Sequence, residues 1–138
     1  MNSRVDVAVM IGTGVPATLQ ALGKRICWVV LVNGERLQIR GANLHHDLGA
    51  LGSAVNTRAI ERQLEILRSM GCNAIRTSHN PPSPELLDAC DRLGLLVFEE
   101  IPGWQHVGDK GWQAQAIDNV RAMIERDWNH PSIILWGV

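Results

Sequence analysis

No stretch of this sequence approaches the roughly 20 consecutive apolar residues that a helix needs to cross a bilayer, so a membrane-spanning chain is not expected. Neither sign of charge is in excess: 13 Lys and Arg stand against 14 Asp and Glu, a net charge of −1. With no basic field, and no Lys/Arg-rich run interleaved with aromatics, neither nucleic acid nor an anionic membrane is an expected partner. Cysteine is scarce. Cys27, Cys72 and Cys90 are odd in number and widely spaced, which excludes a disulfide framework and a zinc motif. They read as small thiols of a reducing compartment. Residues 1–22 are apolar only in patches, broken by Arg4 and Asp6, and lack the apolar core and cleavage site of a secretory leader. A cytoplasmic rather than a secreted chain is therefore expected. There is no internal repeat and no low-complexity tract.

What is present is alternation. Ile26 to Val32 is rich in β-formers and runs into Asn33-Gly34, a turn signal. Leu37 to Arg40 alternates and reads as a strand ending at Gly41-Ala42-Asn43. A loop from His45 to Val55 follows. Ile60, Leu64 and Leu67 then share one face of a helix over about 57–70, and Gly71 stops it. Asn73 to Thr77 reads as a strand. Ser83-Pro84 opens a second helix, with Leu86, Leu87, Cys90 and Leu93 on its buried face and Gly94 at its end. Leu95 to Phe98 is the continuous apolar run of a doubly covered parallel strand. A third helix is expected over about 112–128, with Ile117, Val120 and Ile124 in register, and Ser132 to Val138 is a fourth strand. In the first 25 residues, Val5 to Ile11 suits a strand and Pro16 to Leu22 a short helix. Gly12-Thr13-Gly14 lacks the remaining residues of a phosphate loop.

The order β-α-β-α-β-α-β implies parallel strands joined by right-handed helical crossovers. On periodicity alone, half of an eight-stranded barrel and an open doubly wound sheet fit equally well. The 138 residues fall short of the roughly 250 of a complete barrel.

In such folds ligands bind at the carboxyl ends of the strands. Those positions here hold Asn43, His45, His46 and Asp47; then Arg76, Ser78, His79 and Asn80; then Glu99, Glu100, Trp104 and His106; and last Trp136. The strand bodies are apolar, so the polar and aromatic groups gather where a hydroxyl-rich ligand would need donors, acceptors and a platform. Plainer readings stand beside this one. His45-His46-Asp47 has no third ligand at metal spacing, so no metal is expected. Glu99 and Glu100 are strand neighbours that face opposite sides, so at most one enters the site. His130 ends a helix before Pro131, and Trp112 and Trp128 suit core or interface packing.

At these same strand ends the sequence resembles glycoside hydrolase family 2, the family of β-galactosidase, β-glucuronidase and β-mannosidase. The stretches that carry the resemblance are Arg40-Gly41-Ala42-Asn43-Leu44-His45-His46-Asp47; Gly71 to Pro82, with Arg76-Thr77-Ser78-His79-Asn80 at its centre; Cys90-Asp91-Arg92-Leu93-Gly94 with Val97-Phe98-Glu99-Glu100; and Arg126 to Val138, with Asn129-His130-Pro131-Ser132. The resemblance implies the first four strands of a (β/α)₈ TIM barrel, an α/β fold, with residues 26–138 as its N-terminal half and 1–25 unmatched. It implies that His45 and His79 bond sugar hydroxyls, that Arg76 braces the site, that Asn43 and Asn80 line it, that Glu100 belongs to it and that Trp136 walls it. It implies no cofactor. In the family an Asn-Glu pair follows the fourth strand and supplies the general acid/base, and a second Glu at the seventh strand is the nucleophile. Both lie beyond Val138.

Three functions follow as expectations. The first is a fragment of a retaining hydrolase of terminal β-glycosides, inactive alone because that chemistry needs both carboxylates. The second is a half-barrel that self-associates through its two open sheet edges and serves as a sugar-binding or interaction module. The third is an open-sheet enzyme using Glu99 or Glu100 with a histidine.

Overall fold

The computed structural model describes residues 7–9, 30–103 and 106–138. The chain divides into two compact units, residues 1–39 and 40–138.

The first unit contains a three-stranded antiparallel sheet. Strand β1 (Val7–Val9) pairs with β2 (Val30–Val32), which pairs in turn with β3 (Glu35–Leu37). The β2–β3 hairpin turns at Asn33-Gly34, where both residues take positive φ, +53° and +81°. That is the geometry this dipeptide favours in a two-residue loop. The expected strand from Val5 to Ile11 is seen at Val7–Val9. The helix expected at Pro16 to Leu22, Gly12-Thr13-Gly14 and Cys27 lie outside the described residues.

The second unit is an α/β layer. Strands β4 (Gly41–His45), β5 (Ala74–Ser78), β6 (Leu96–Glu100) and β7 (Ile133–Gly137) form a wholly parallel sheet in that order. Helices α1 (Thr57–Ser69), α2 (Pro84–Leu93) and α3 (Lys110–Asp127) connect successive strands. These are the parallel strands and helical crossovers that the alternation implies, in the four-strand partial barrel that the resemblance implies. The first parallel strand begins at Gly41, however, and not at Leu37. Of the expected strand Leu37 to Arg40 only Leu37 is in a strand, and it pairs within the hairpin as the end of Glu35–Leu37, because the Asn33-Gly34 turn leads these residues straight back along β2. Gly41 can enter the sheet because it has no Cβ, which would stand 2.6 Å from the carbonyl oxygen of Ala74.

The helix ends follow local chemistry. The Asn56 side chain accepts a hydrogen bond from the Ala59 amide at the start of α1, and Asp109 does the same for Trp112 at α3. Pro84 occupies the first turn of α2, and Gly94 closes that helix in the left-handed conformation.

The core lies on one face of the sheet. Leu64 of α1 and Leu86, Leu87, Ala89 and Cys90 of α2 pack against Ile75, Leu95 and Val97. Leu44, Ile60, Leu67, Leu93 and Ile133 border this cluster. Burial pushes the Cys90 thiol up to about 12, with Asp91 adding to the effect, so this cysteine behaves as an inert core residue.

Helix α3 departs from the expected pattern. Its buried residues are Met123 and Asp127, whereas Ile117 is 53% exposed. The stripe of Ile117 and Val120 lines an apolar groove with Ile101, Val107, Trp112 and Val138 rather than the core. Trp112 packs edge-on against His106. Trp128 is 74% exposed, so of the core or interface packing expected for it the core alternative is not realised. Among the described residues no helix is long and apolar enough to cross a membrane.

Candidate active site

Strand pleating gives the sheet two chemically different faces. Ala42, Ile75 and Val97 share the face covered by helices, and Leu44 stands beside Thr77 there. Asn43, Arg76 and Phe98 share the opposite face, one residue along each strand. His45 and Glu100 lie two residues further along their strands on that same face, at its carboxyl end.

Glu100 is the centre of this group. Its side chain is only 6% exposed. Oε2 accepts from Arg76 twice, from Nε at 3.0 Å and Nη2 at 2.7 Å, and Oε1 pairs with Nδ1 of His79. The Arg76 guanidinium also lies over the Phe98 ring, 5.3 Å from its centroid, a cation–π contact. His79 meets the His45 ring edge-on, centroids 5.8 Å apart. One buried carboxylate thus fixes an arginine and a histidine, and the second histidine packs on the first. Charge-assisted bonds of this kind are the strong ones. They leave Glu100 little capacity to act as acid, base or ligand itself.

Of the expected site residues, the structure brings together His45, Arg76, His79 and Glu100, with Asn43 beside Arg76 in the register and exposed. Asn80 turns back on its own loop, where Nδ2 donates to the Pro81 carbonyl at 2.8 Å. It lines a neighbouring pocket with His45, His46, Asp47 and Thr77. Trp136 is not brought to the group. It stands opposite Glu99 in the register, on the covered face, because a register shift between Val97 and Phe98 sets Leu135 and Gly137 on the site side instead. Gly137 lies there against Phe98 and Glu100, which an added Cβ would meet at 2.6 and 2.8 Å. Trp104 lies outside the described residues.

The two adjacent glutamates separate as alternation requires. Glu99 is fully buried behind the sheet, against Arg126 and Asp127 of α3. They cannot serve as a facing acid/base pair. His46 Nε2 contacts the Ser53 carbonyl at 2.8 Å and so ties its own loop. His130 does more than end a helix: Nδ1 pairs with Asp91 Oδ2 at 2.7 Å, and Asp91 Oδ1 accepts from the Ser132 amide at 3.0 Å. Asp88, Asp91 and His130 could in principle converge on a metal, their ligand atoms within 4.8 Å of one another. The bonds Asp91 already makes assign it to tying α2 to the start of β7. Phe98 escaped the sequence reading, although its spacing of two residues from Glu100 on one strand signals a shared face.

Comparison with known proteins completes the description. The sequence model for glycosyl hydrolases family 2, TIM barrel domain, matches residues 28–138. A β-galactosidase of Thermoanaerobacterium thermosulfurigenes is 53% identical over 108 residues, which cover 78% of this chain and 15% of that protein. A β-galactosidase of Bacteroides ovatus, BoGH2A, is 49% identical over 113 residues, 78% of this chain and 13% of its own length. Among solved structures, β-glucuronidase 3 of Bacteroides uniformis superposes with a TM-score of 0.72 at 40% identity, over 79% of this chain and 14% of that one. The chain therefore spans about one seventh of the length of the relatives it matches.

Proposed function

Because the chain belongs to glycoside hydrolase family 2, through its TIM-barrel domain, we propose that its open sheet face is the sugar-binding half of a retaining β-glycosidase site. The observation that carries this reading is the group His45–His79–Glu100–Arg76, assembled from three strand ends at the carboxyl edge of a parallel sheet. Histidine and asparagine side chains at such an edge suit neutral hydroxyls, which they can both donate to and accept from. Membership of the family supports glycoside chemistry for the whole protein; the sugar is the finer question. Relatives at 49–53% identity carry the name β-galactosidase, so a terminal β-galactoside is the first substrate to try.

Retaining hydrolysis needs two carboxylates about 5–5.5 Å apart. Glu99 and Glu100 stand on opposite faces of β6, and Glu100 is held by Arg76 and His79. We therefore assign no catalytic carboxylate to residues 1–138, and the chain alone turns over no glycoside. The test is hydrolysis of a panel of nitrophenyl β-glycosides by the purified chain, beside an Glu100→Gln variant. No release above background is expected from either. Release that disappears in Glu100→Gln would overturn the assignment and make Glu100 catalytic.

A second reading has its own support. Among the described residues β4 and β7 each pair on one side only, and the apolar groove beside β7 exposes Ile117 and Val107. Unpaired edges and apolar grooves favour association. Light scattering at micromolar concentration separates a defined dimer, which this reading predicts, from a monomer.

A further inference from the structure

Behind the sheet lies a second charged group that the sugar-binding reading does not use. Glu99 is fully buried and Asp127 is 1% exposed. One cation serves both. Arg126 donates to Asp127 from Nε at 2.7 Å and from Nη2 at 2.5 Å. The same Nη2 donates to the Pro82 carbonyl at 2.8 Å and lies 3.7 Å from Glu99 Oε1, too far for a hydrogen bond. Each contact belongs to a different segment. Pro82 follows His79 in the connection after β5, Glu99 immediately precedes Glu100 on β6, and Asp127 ends α3. The guanidinium thus joins, from behind, the two segments that meet in front through His79 and Glu100.

We propose that Arg126, Glu99 and Asp127 form a brace that positions His79 and Glu100, and that the brace is complete only while Glu99 carries a proton. Arg126 and Glu99 touch no ligand face; they are positioning residues. The proton requirement follows from counting charges. Two buried carboxylates share one guanidinium, and Asp127 takes its two strong bonds. Among the described residues neither Glu99 oxygen meets a hydrogen-bond donor. The group beside it is the Asp127 carboxylate, which can only accept. A proton on Glu99 turns that approach into a hydrogen bond; its loss leaves like charges in contact in a desolvated site. Arg126 and Asp127, both on α3, are the charged groups that act on Glu99. Burial first, and the Asp127 carboxyl second, raise Glu99 from 4.5 to about 8, with Arg126 opposing.

The sign of the pH effect follows. A carboxyl whose folded value is raised holds its proton in the folded chain while the unfolded chain has already lost it. Its contribution to stability is complete below about 4.5, falls as pH rises, and is gone above about 8. A brace that slackens as pH rises through about 8 moves the strand end carrying Glu100, and with it His79. This inference rests on the fold alone and survives even if the sugar reading fails.

The test is a carbon- and nitrogen-detected NMR titration of the intact chain from pH 5 to 9, run on native protein and on Glu99→Gln. In the native chain the Glu99 carboxyl carbon should titrate near pH 8, and the His79 ring signals should show an inflection at the same pH. Glu99→Gln keeps the shape and cannot ionise, so that inflection should vanish while the variant remains folded. A Glu99 signal that titrates in the ordinary carboxylate range would overturn the proposal. So would a His79 inflection near pH 8 that persists in Glu99→Gln, or a native His79 ring with none there. The native titration decides the matter even if the variant folds poorly.

Discussion

Two neighbouring glutamates on one strand live in different worlds. Glu99 looks toward the helices, where it is fully buried against Arg126 and Asp127 and, among the described residues, its oxygens meet no donor. Glu100 looks the other way, where Arg76 and His79 take up both its oxygens. The chemistry is the same carboxyl; burial raises one toward its protonated form, and the other is held by an arginine and a histidine. What separates them is a single residue of strand pleat. The covered face supplies stability and the open face is the one proposed for recognition.

The comparison can be broken from either side. The largest effect is expected on the covered face. Leu87 is fully buried in the core, so Leu87→Ala should cost about 2–5 kcal/mol through lost burial and the cavity left behind. Urea unfolding followed by circular dichroism measures it. An effect below about 1 kcal/mol would mean that this cluster is not the core. On the open face the tightest contact is at Gly137, whose added methyl would press on Phe98 and Glu100. Gly137→Ala should cost about 1–3 kcal/mol by overpacking and should also disturb the Arg76–Glu100 pair, visible as shifts of the Arg76 side-chain nitrogen signals. The smallest loss of stability is expected from Arg76→Met. Arg76 is one-third exposed, so solvent and His79 partly compensate Glu100 and the cost should be about 1–2 kcal/mol. Its effect on sugar binding should be the larger one, since Arg76 orders the group that faces the ligand. Equal losses of stability from Leu87→Ala and Arg76→Met would erase the distinction between the faces.

Much of this was legible in the residues. The periodicity of Ile60, Leu64 and Leu67, the Ser83-Pro84 start, Gly94 and the apolar run before Glu99 place three crossover helices and the parallel strands, because one buried face imposes a repeat. The spacing of His45, Arg76, His79 and Glu100 at strand ends marks the site. Four features were hidden for physical reasons. The hairpin takes Leu37 as the end of Glu35–Leu37, since local turn geometry at Asn33-Gly34 outweighs the alternation of Leu37 to Arg40. Ile117 and Val120 are periodic, yet they line a groove, because periodicity reports an apolar stripe and not what covers it. Trp136 falls on the covered face because an irregularity between Val97 and Phe98 shifts the register, and no pattern in the sequence announces that shift. The pairing of Arg126 with the buried carboxylates of Asp127 and Glu99 was equally silent, since charged residues at a helix end ordinarily signal solvent.

The central claim is that the open face carries the sugar-binding residues. A titration of the isotope-labelled chain with methyl β-galactoside, read in nitrogen–proton spectra, tests it most directly. The account predicts saturable shifts confined to Asn43, His45, Arg76, His79 and their neighbours, weakened in Arg76→Met. Shifts confined to the groove around Ile117 and Val120, or none at all up to the solubility of that sugar and its glucuronide and mannoside counterparts, would contradict it.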